Sequence, residues 1–289
     1  MNGVIVIDKD KGFTSHDVVA KMRRILGTKK IGHTGTLDPD ATGVLPVCIG
    51  NATKASDIMT GGEIKGYLAE LRLGITTDTL DASGKVLESK STEGITDNDI
   101  SEAIKLFTGE IKQLPPMYSA IKVGGKKLYQ LARQGIEIER QLRDITIYKL
   151  DIVKREDSLI YLDVECSKGT YIRSLCADIG EALGCGGHMA ALRRTRSGNF
   201  TTKNAVTLEE LEKSQDKLSY LIPTDELFDY PKMVVTEKQE KLIRNGVAAY
   251  CEAAPGNYRV YSGSGEFLAV SNLTDIDGKL GLKLIKSFY

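Results

Sequence analysis

The chain has 289 residues, more than one ordinary domain needs, and allows one core of about 200 residues with a small appended module. Its 39 basic and 39 acidic residues cancel, so bulk charge gives no nucleic-acid signal and any phosphate contact must come from local clusters. The five cysteines are odd in number and scattered, which suits reduced thiols and implies no disulfide framework. With no basic leader and no apolar run near the ~18 residues that span a bilayer, a cytoplasmic protein without membrane attachment is expected.

Val4 to Ile7 is a continuous apolar run suited to a buried strand, followed by turn material from Asp8 to Gly12. Thr14 and Asp17 have capping-box spacing and open a helix through Leu26. Val18, Val19, Met22, Ile25 and Leu26 form its stripe, and Gly27 stops it. Lys21, Arg23, Arg24, Lys29 and Lys30 cluster around that helix, as a solvated face or a phosphate patch. Tyr67 to Leu73 alternates and reads as a strand, and Asp78, Asp81 and Gly84 suit a turn. Thr96 with Asp99 caps a helix from Asn98 to Phe107, and another spans Lys126 to Gln134. Leu159 to Cys166 is a strand with Ile160, Leu162, Val164 and Cys166 inward. Tyr171 to Leu183 is a helix ending at Gly184, with Ile172, Leu175, Cys176, Ile179 and Leu183 on its core stripe. Pro223 and Pro231 bracket a polar stretch that reads as a boundary between domains 1–229 and 230–289. Beyond it, Lys232 to Gly246 suggests a strand and a helix, and glycine-punctuated apolar runs from Asn257 to Tyr289 suggest hairpins.

The most constrained segment is Gly32-His33-Thr34-Gly35-Thr36-Leu37-Asp38-Pro39-Asp40-Ala41-Thr42-Gly43-Val44-Leu45-Pro46-Val47. Asp38 precedes a proline and is pushed out of the helical region, while Gly35 and Gly43 offer positive φ, so the carboxylate is aimed by its backbone. Locally, an Asp-Pro turn in which Asp38 bonds only nearby backbone is the alternative. The run resembles the nucleophile loop of the TruB-type tRNA pseudouridine-55 synthases, matching G-H-x-G-T-L-D-P-x-A-x-G-V-L-P-V at every fixed position. Ile7 to Val19 resembles the family's D-K-P-x-G-x-T-S-x-D-V-V segment, with Asp10 where proline is usual and hence a looser turn expected beside Lys9. Lys65-Gly66-Tyr67, the Thr77 to Asp81 turn, Pro115 to Tyr129, Cys166-Ser167-Lys168-Gly169-Thr170-Tyr171-Ile172-Arg173 and Gly184 to Arg196 extend the likeness over nearly the first 200 residues.

The resemblance implies an α+β pseudouridine-synthase fold: a central mixed, largely antiparallel sheet flanked by helices, followed by a small, mostly β, PUA-like domain. It makes Asp38 the nucleophile. Tyr67, Tyr171 and Leu192 would receive a flipped base, His33 would contact RNA near the vacated stack, and Arg173 would hold Asp38 ionised and oriented. By periodicity alone Tyr67 is a core tyrosine. Lys122, Lys126, Lys127, Arg133, Arg140 and Arg143 could bind phosphate, and Arg193, Arg194 and Arg196 would serve the RNA backbone or the fold. Isomerisation needs no redox partner, so no cofactor is expected. No metal is expected either, because Cys185 and His188 lack a second ligand pair. The implied partner is tRNA, through its T-arm stem-loop, bound by a monomer with no obligate protein partner. A tRNA-folding chaperone, with Asp38 in a structural turn, is the alternative function.

Overall fold

The computed structural model describes residues 1–59, 64–119 and 121–289. Strand β1 (Gly3–Lys9) leads into α1 (Ser15–Leu26), where Thr14 and Asp17 form the reciprocal capping box and Gly27 closes the helix at φ 63°. Strands β2 (Ile31–His33) and β3 (Thr42–Ile49) flank the Asp38 loop, and the short α2 (Ser56–Met59) follows. Then come β4 (Ile64–Leu73), the ribbon β5 (Ile75–Thr77) with β6 (Val86–Ser89), α3 (Asp97–Lys105) and β7 (Gly109–Gln113). A second ribbon, β8 (Lys122–Val123) with β9 (Lys126–Lys127), precedes α4 (Leu128–Ala132). Strands β10 (Arg143–Glu156) and β11 (Leu159–Ser167), helix α5 (Ile172–Ala182) and β12 (Gly187–Ser197) complete the part that carries the site. The segments β13 (Phe200–Thr201), β14 (Ala205–Thr207), α6 (Leu208–Lys213) and β15 (Ile222–Pro223) return to the first strands.

Among the described residues one sheet has eleven strands, with its main path in the order β14-β1-β3-β12-β4-β11-β10-β7. Only the β1–β14 and β12–β3 pairs are parallel, so the expected mixed, largely antiparallel sheet is present. Its two halves have separate cores. Helices α3 and α5 cover β4, β10 and β11, where Leu71, Leu162 and Ile179 are fully buried. Helices α1 and α6 cover β1 and β3 around Ile5, Met22 and Leu45. Complete burial of such a side chain contributes about 1.5–3 kcal/mol. Val4, Val6, Val44 and Cys48 fill the opposite face of β1 and β3, which explains why β1 is apolar without alternation. By contrast β4 alternates, with Leu68 exposed between the buried Tyr67 and Ala69, because only one of its faces is covered.

A second, five-stranded sheet follows: β16 (Lys232–Val234), β17 (Ala249–Tyr250), β18 (Gly256–Tyr261), β19 (Phe267–Ile276) and β20 (Lys279–Ser287), with α7 (Glu237–Arg244) against it. An aromatic cluster of Phe228, Tyr230, Phe267 and Phe288 joins it to Ala55 and Met59 of the first unit.

Two local expectations need correction. The helix at 126–134 shrinks to α4, because Lys126 and Lys127 pair with the preceding ribbon strand. Asp10 does not loosen its turn: Gly12 N donates to Pro39 O at 2.9 Å, tying the turn to the residue after Asp38. Gly35 and Gly43 both take the expected positive φ: Gly35, at 159°, lies near the extended limit, and Gly43, at 101°, is the loop glycine whose backbone excludes a side chain.

Candidate active site

The chain gives the Asp38 loop an unusually complete set of backbone restraints. Ser15, the first residue of α1, donates its hydroxyl to Leu37 O at 3.2 Å and accepts from Leu37 N at 2.9 Å. The Lys9 ammonium, at the end of β1, is fully buried and donates to Asp10 O, Phe13 O and Pro39 O at 3.0, 2.7 and 3.0 Å. Burial pulls its pKa below the ordinary lysine value, against Asp40, Asp10 and Asp38, which favour the charged form. The residues on either side of Asp38 are therefore fixed by α1 and β1, and only its side chain is free to point onward. Its carboxylate meets Arg173, while its carbonyl accepts from Ala41 N at 3.1 Å and closes the Asp-Pro turn.

Arg173 lies in the first turn of α5, and the start of that helix is set from β7. Gln113 accepts from Tyr171 N at 2.8 Å and donates to Tyr171 O at 3.0 Å, and Ser174 donates to Leu114 O. The Arg173 side chain is 8% exposed and that of Asp38 42%. The guanidinium Nε lies 3.2 Å from Asp38 Oδ2, and Nη1 lies 3.3 Å from Asp81 Oδ2. It also donates to Tyr118 O at 2.8 Å and Thr79 O at 3.4 Å. One planar fork thus joins two carboxylates and two carbonyls, an arrangement lysine cannot reproduce. Asp81 is itself oriented by the Thr79 and Ser83 hydroxyls at 2.7 and 2.6 Å. The expectation that Arg173 keeps Asp38 readily ionised meets an opposing effect. Burial pushes the Asp38 pKa up, Arg173 opposes it, Asp81 adds to it, and the net direction is upward.

The remaining residues expected at the site are distributed as follows. Tyr67 on β4 is buried within the larger core and pairs in register with Val164 and Arg194. Leu192 on β12 packs against both cores and so sits at the seam between the halves of the sheet. Tyr171 is the N-cap of α5. At the end of β2, His33 accepts through Nδ1 from Gly35 N at 3.3 Å, and its ring meets His16 edge-on at 5.4 Å. Burial first, then His16 and Arg194, lower the His33 pKa, so the neutral ring is favoured. Of the three arginines on β12, Arg193 makes a bidentate pair with Asp8 at 3.0 and 2.6 Å and Arg196 approaches Glu165. Arg194 instead grips backbone of the Asp38 loop. His188 reaches Ile75 O at 2.9 Å and Cys185 lies in the core, so their spacing serves packing. Lys127 and Arg133 lie over the Tyr129 ring, and Arg140 holds Pro115 O.

Sequence reasoning did not single out Asp81, Gln113 or the clamping roles of Lys9 and Ser15. For Asp81 a signal existed, because it closes the family-like turn from Thr77 to Asp81. Gln113 sits in an unremarkable strand and gave none.

A profile described as "TruB family pseudouridylate synthase (N terminal domain)" matches residues 23–172, and one for the "tRNA pseudouridylate synthase B C-terminal domain" matches residues 173–228. A relative from Clostridium kluyveri named tRNA pseudouridine synthase B is 48% identical over 287 residues, covering 97% of this chain and 98% of its own length. One of the same name from Alkaliphilus oremlandii is 51% identical, covering 86% of this chain and 83% of its own. The crystal structure of a Cbf5-Nop10-Gar1 complex aligns over 99% of this chain and 85% of that chain, at 28% identity and TM-score 0.73. An H/ACA RNP bound to a substrate RNA containing 2′-deoxyuridine aligns with the same coverage, at 26% identity and TM-score 0.71. With a profile that spans the Asp38 loop and relatives about half identical over 86–97% of its length, the chain belongs to the TruB family of tRNA pseudouridine synthases.

Proposed function

We propose that this chain isomerises uridine to pseudouridine at position 55 in the T-loop of tRNA, with Asp38 as nucleophile. The observation that carries the reading is the Asp38 carboxylate, anchored on both sides in the chain and aimed at a buried arginine fork. In the reaction the C1′–N1 bond breaks, the uracil turns within the pocket, and C5 bonds to C1′. The proton lost from C5 is matched by one gained at N1, so no oxidant, reductant or group donor enters. Asp38 attacks the uracil ring or C1′, or assists a glycal intermediate, and as nucleophile it acts as the anion. Arg173 stabilises that anion against the cost of burial.

Position 55 lies inside a folded loop, so the base must leave its stack at a cost of a few kcal/mol. Tyr67, Tyr171 and Leu192 receive it in this reading, and a neutral His33 contacts the RNA at the vacated place. A structural neighbour bound to a substrate RNA containing 2′-deoxyuridine supports an RNA substrate for the same fold. Residues 1–229 form the catalytic unit and residues 230–289 a PUA-like unit that contacts the acceptor end of tRNA. The enzyme acts as a monomer with no obligate protein partner.

Asp38→Asn tests the assignment. The variant is expected to bind a T-arm stem-loop transcript as the parent does and to leave it free of pseudouridine by mass spectrometry. Product at the parental rate would reject the nucleophile, and modification mapped to another position of an unmodified tRNA would reject the site. For the second unit, removal of residues 230–289 is expected to weaken full tRNA more than the isolated stem-loop. Equal losses would refute the acceptor-end contact.

A further inference from the structure

We infer that Arg194 is a positioning residue for Asp38, setting the main chain of the nucleophile loop without touching the substrate; this rests on the nucleophile reading above. Arg194 is fully buried, and its Nε donates to Val44 O at 2.7 Å. Its Nη2 donates to Gly35 O at 3.3 Å and its Nη1 reaches Thr36 O at 3.5 Å. These carbonyls lie on both limbs of the loop, two before Asp38 and one after it.

Three further observations separate Arg194 from an ordinary structural arginine. Among the described residues it makes no ion pair, whereas Arg193 and Arg196 beside it have Asp8 and Glu165. A buried guanidinium without a carboxylate is costly, and a well-packed apolar side chain would serve stability at least as well. Its main chain also meets the loop: Arg194 pairs with Gly43, and a Cβ at residue 43 would lie 2.2 Å from Arg194 O. Finally, the other clamps, Ser15 and Lys9, belong to the same half of the sheet as the loop. Arg194 ties the loop to β12, opposite Tyr67 and in the half that presents Arg173. It therefore fixes how far Asp38 stands from the groups it must meet. Through Gly35, whose N–H is donated to His33 Nδ1, the same grip also places the His33 ring.

The test compares Arg194→Met, which keeps volume and loses every donor, with Arg194→Lys, which keeps the charge and can reach one carbonyl. Single-turnover pseudouridine formation on a T-arm stem-loop and filter binding of the same RNA are measured well below the unfolding temperature of each variant, with Asp38→Asn in parallel. The expectation is a loss of about 100-fold in rate for Met and about 10-fold for Lys, with little change in RNA affinity. A purely structural role would lower the unfolding temperature and leave the rate per folded molecule unchanged. That result, an equal loss of binding and rate, or failure of both variants to fold overturns the inference. Product from Asp38→Asn would instead overturn the nucleophile reading on which it stands.

Discussion

Asp38 is held where its charge is useful and not where it is comfortable. Its pKa is raised in the fold, so the sign of its contribution is fixed: below the unfolded value both states are protonated and it costs nothing. As pH rises through the folded value the fold carries a disfavoured anion. Asp38→Asn is therefore expected to unfold at the same temperature as the parent or up to about 2 °C higher at pH 8, with the difference vanishing near pH 3 by calorimetry. A lower unfolding temperature at pH 8 would contradict the raised pKa. With Asp38 as the proposed anionic nucleophile, turnover is expected to show the complementary dependence, the acid limb of its pH profile lying above 3.8, the ordinary aspartate value. At this scale the sequence made Asp38 and Arg173 legible, since both lie in motifs with fixed neighbours. It named Arg194 and Lys9 without the grip they exert and gave no sign of Gln113, because a residue name does not say that donors end on carbonyls of a loop far along the chain.

The elements divide by how local their causes are. Helices α1 and α3 were readable almost to the residue, because a capping box is written within four positions. Strand β10 escaped, since bulges at Ile147/Lys149 and Ile152/Lys154 break the alternation that marks a strand. Strand β12 escaped too, because its inward positions include an arginine. The same strand makes Gly43 irreplaceable. Gly43→Ala would combine φ 101° with an overlap against Arg194 O, and is expected to cost more than about 4 kcal/mol, a fall of roughly 10 °C or outright insolubility. Gly12→Ala is the control. At φ 87° with nothing within 4 Å of the new Cβ, it should lose only about 1–2 kcal/mol, seen as a fall of a few degrees.

At the scale of the molecule, two sheets meet through aromatic rings. Phe228 is nearly buried between Tyr230, Phe267 and Phe288, with ring centroids 5.7–6.3 Å away. Phe228→Ala is expected to remove about 3–5 kcal/mol from that junction. Calorimetry should then show an early transition for the C-terminal sheet, while stem-loop turnover at 25 °C stays at the parental rate. A single undivided transition at the parental temperature would show that the junction carries little of the stability. The resemblance announced a second module, but only the folded packing reveals that Phe228, in the linker stretch, is its anchor.

The seam through the main sheet has a temporal meaning. Strands β1 and β3 pair with each other, and their outer partners, β14 and β12, are written near residue 200. During synthesis the first fifty residues emerge as β1, β2 and β3, with β2 covering only Val47 to Ile49 of β3 and the outer edge of β1 open, the kind of surface that recruits wrong partners. The ion pair at the candidate site has the same calendar: Asp38 and Arg173 are 135 residues apart. A ribosome that stalls before β12 leaves a chain with the proposed nucleophile already made and its loop ungripped, so activity in a growing population of chains is expected to report completion rather than initiation.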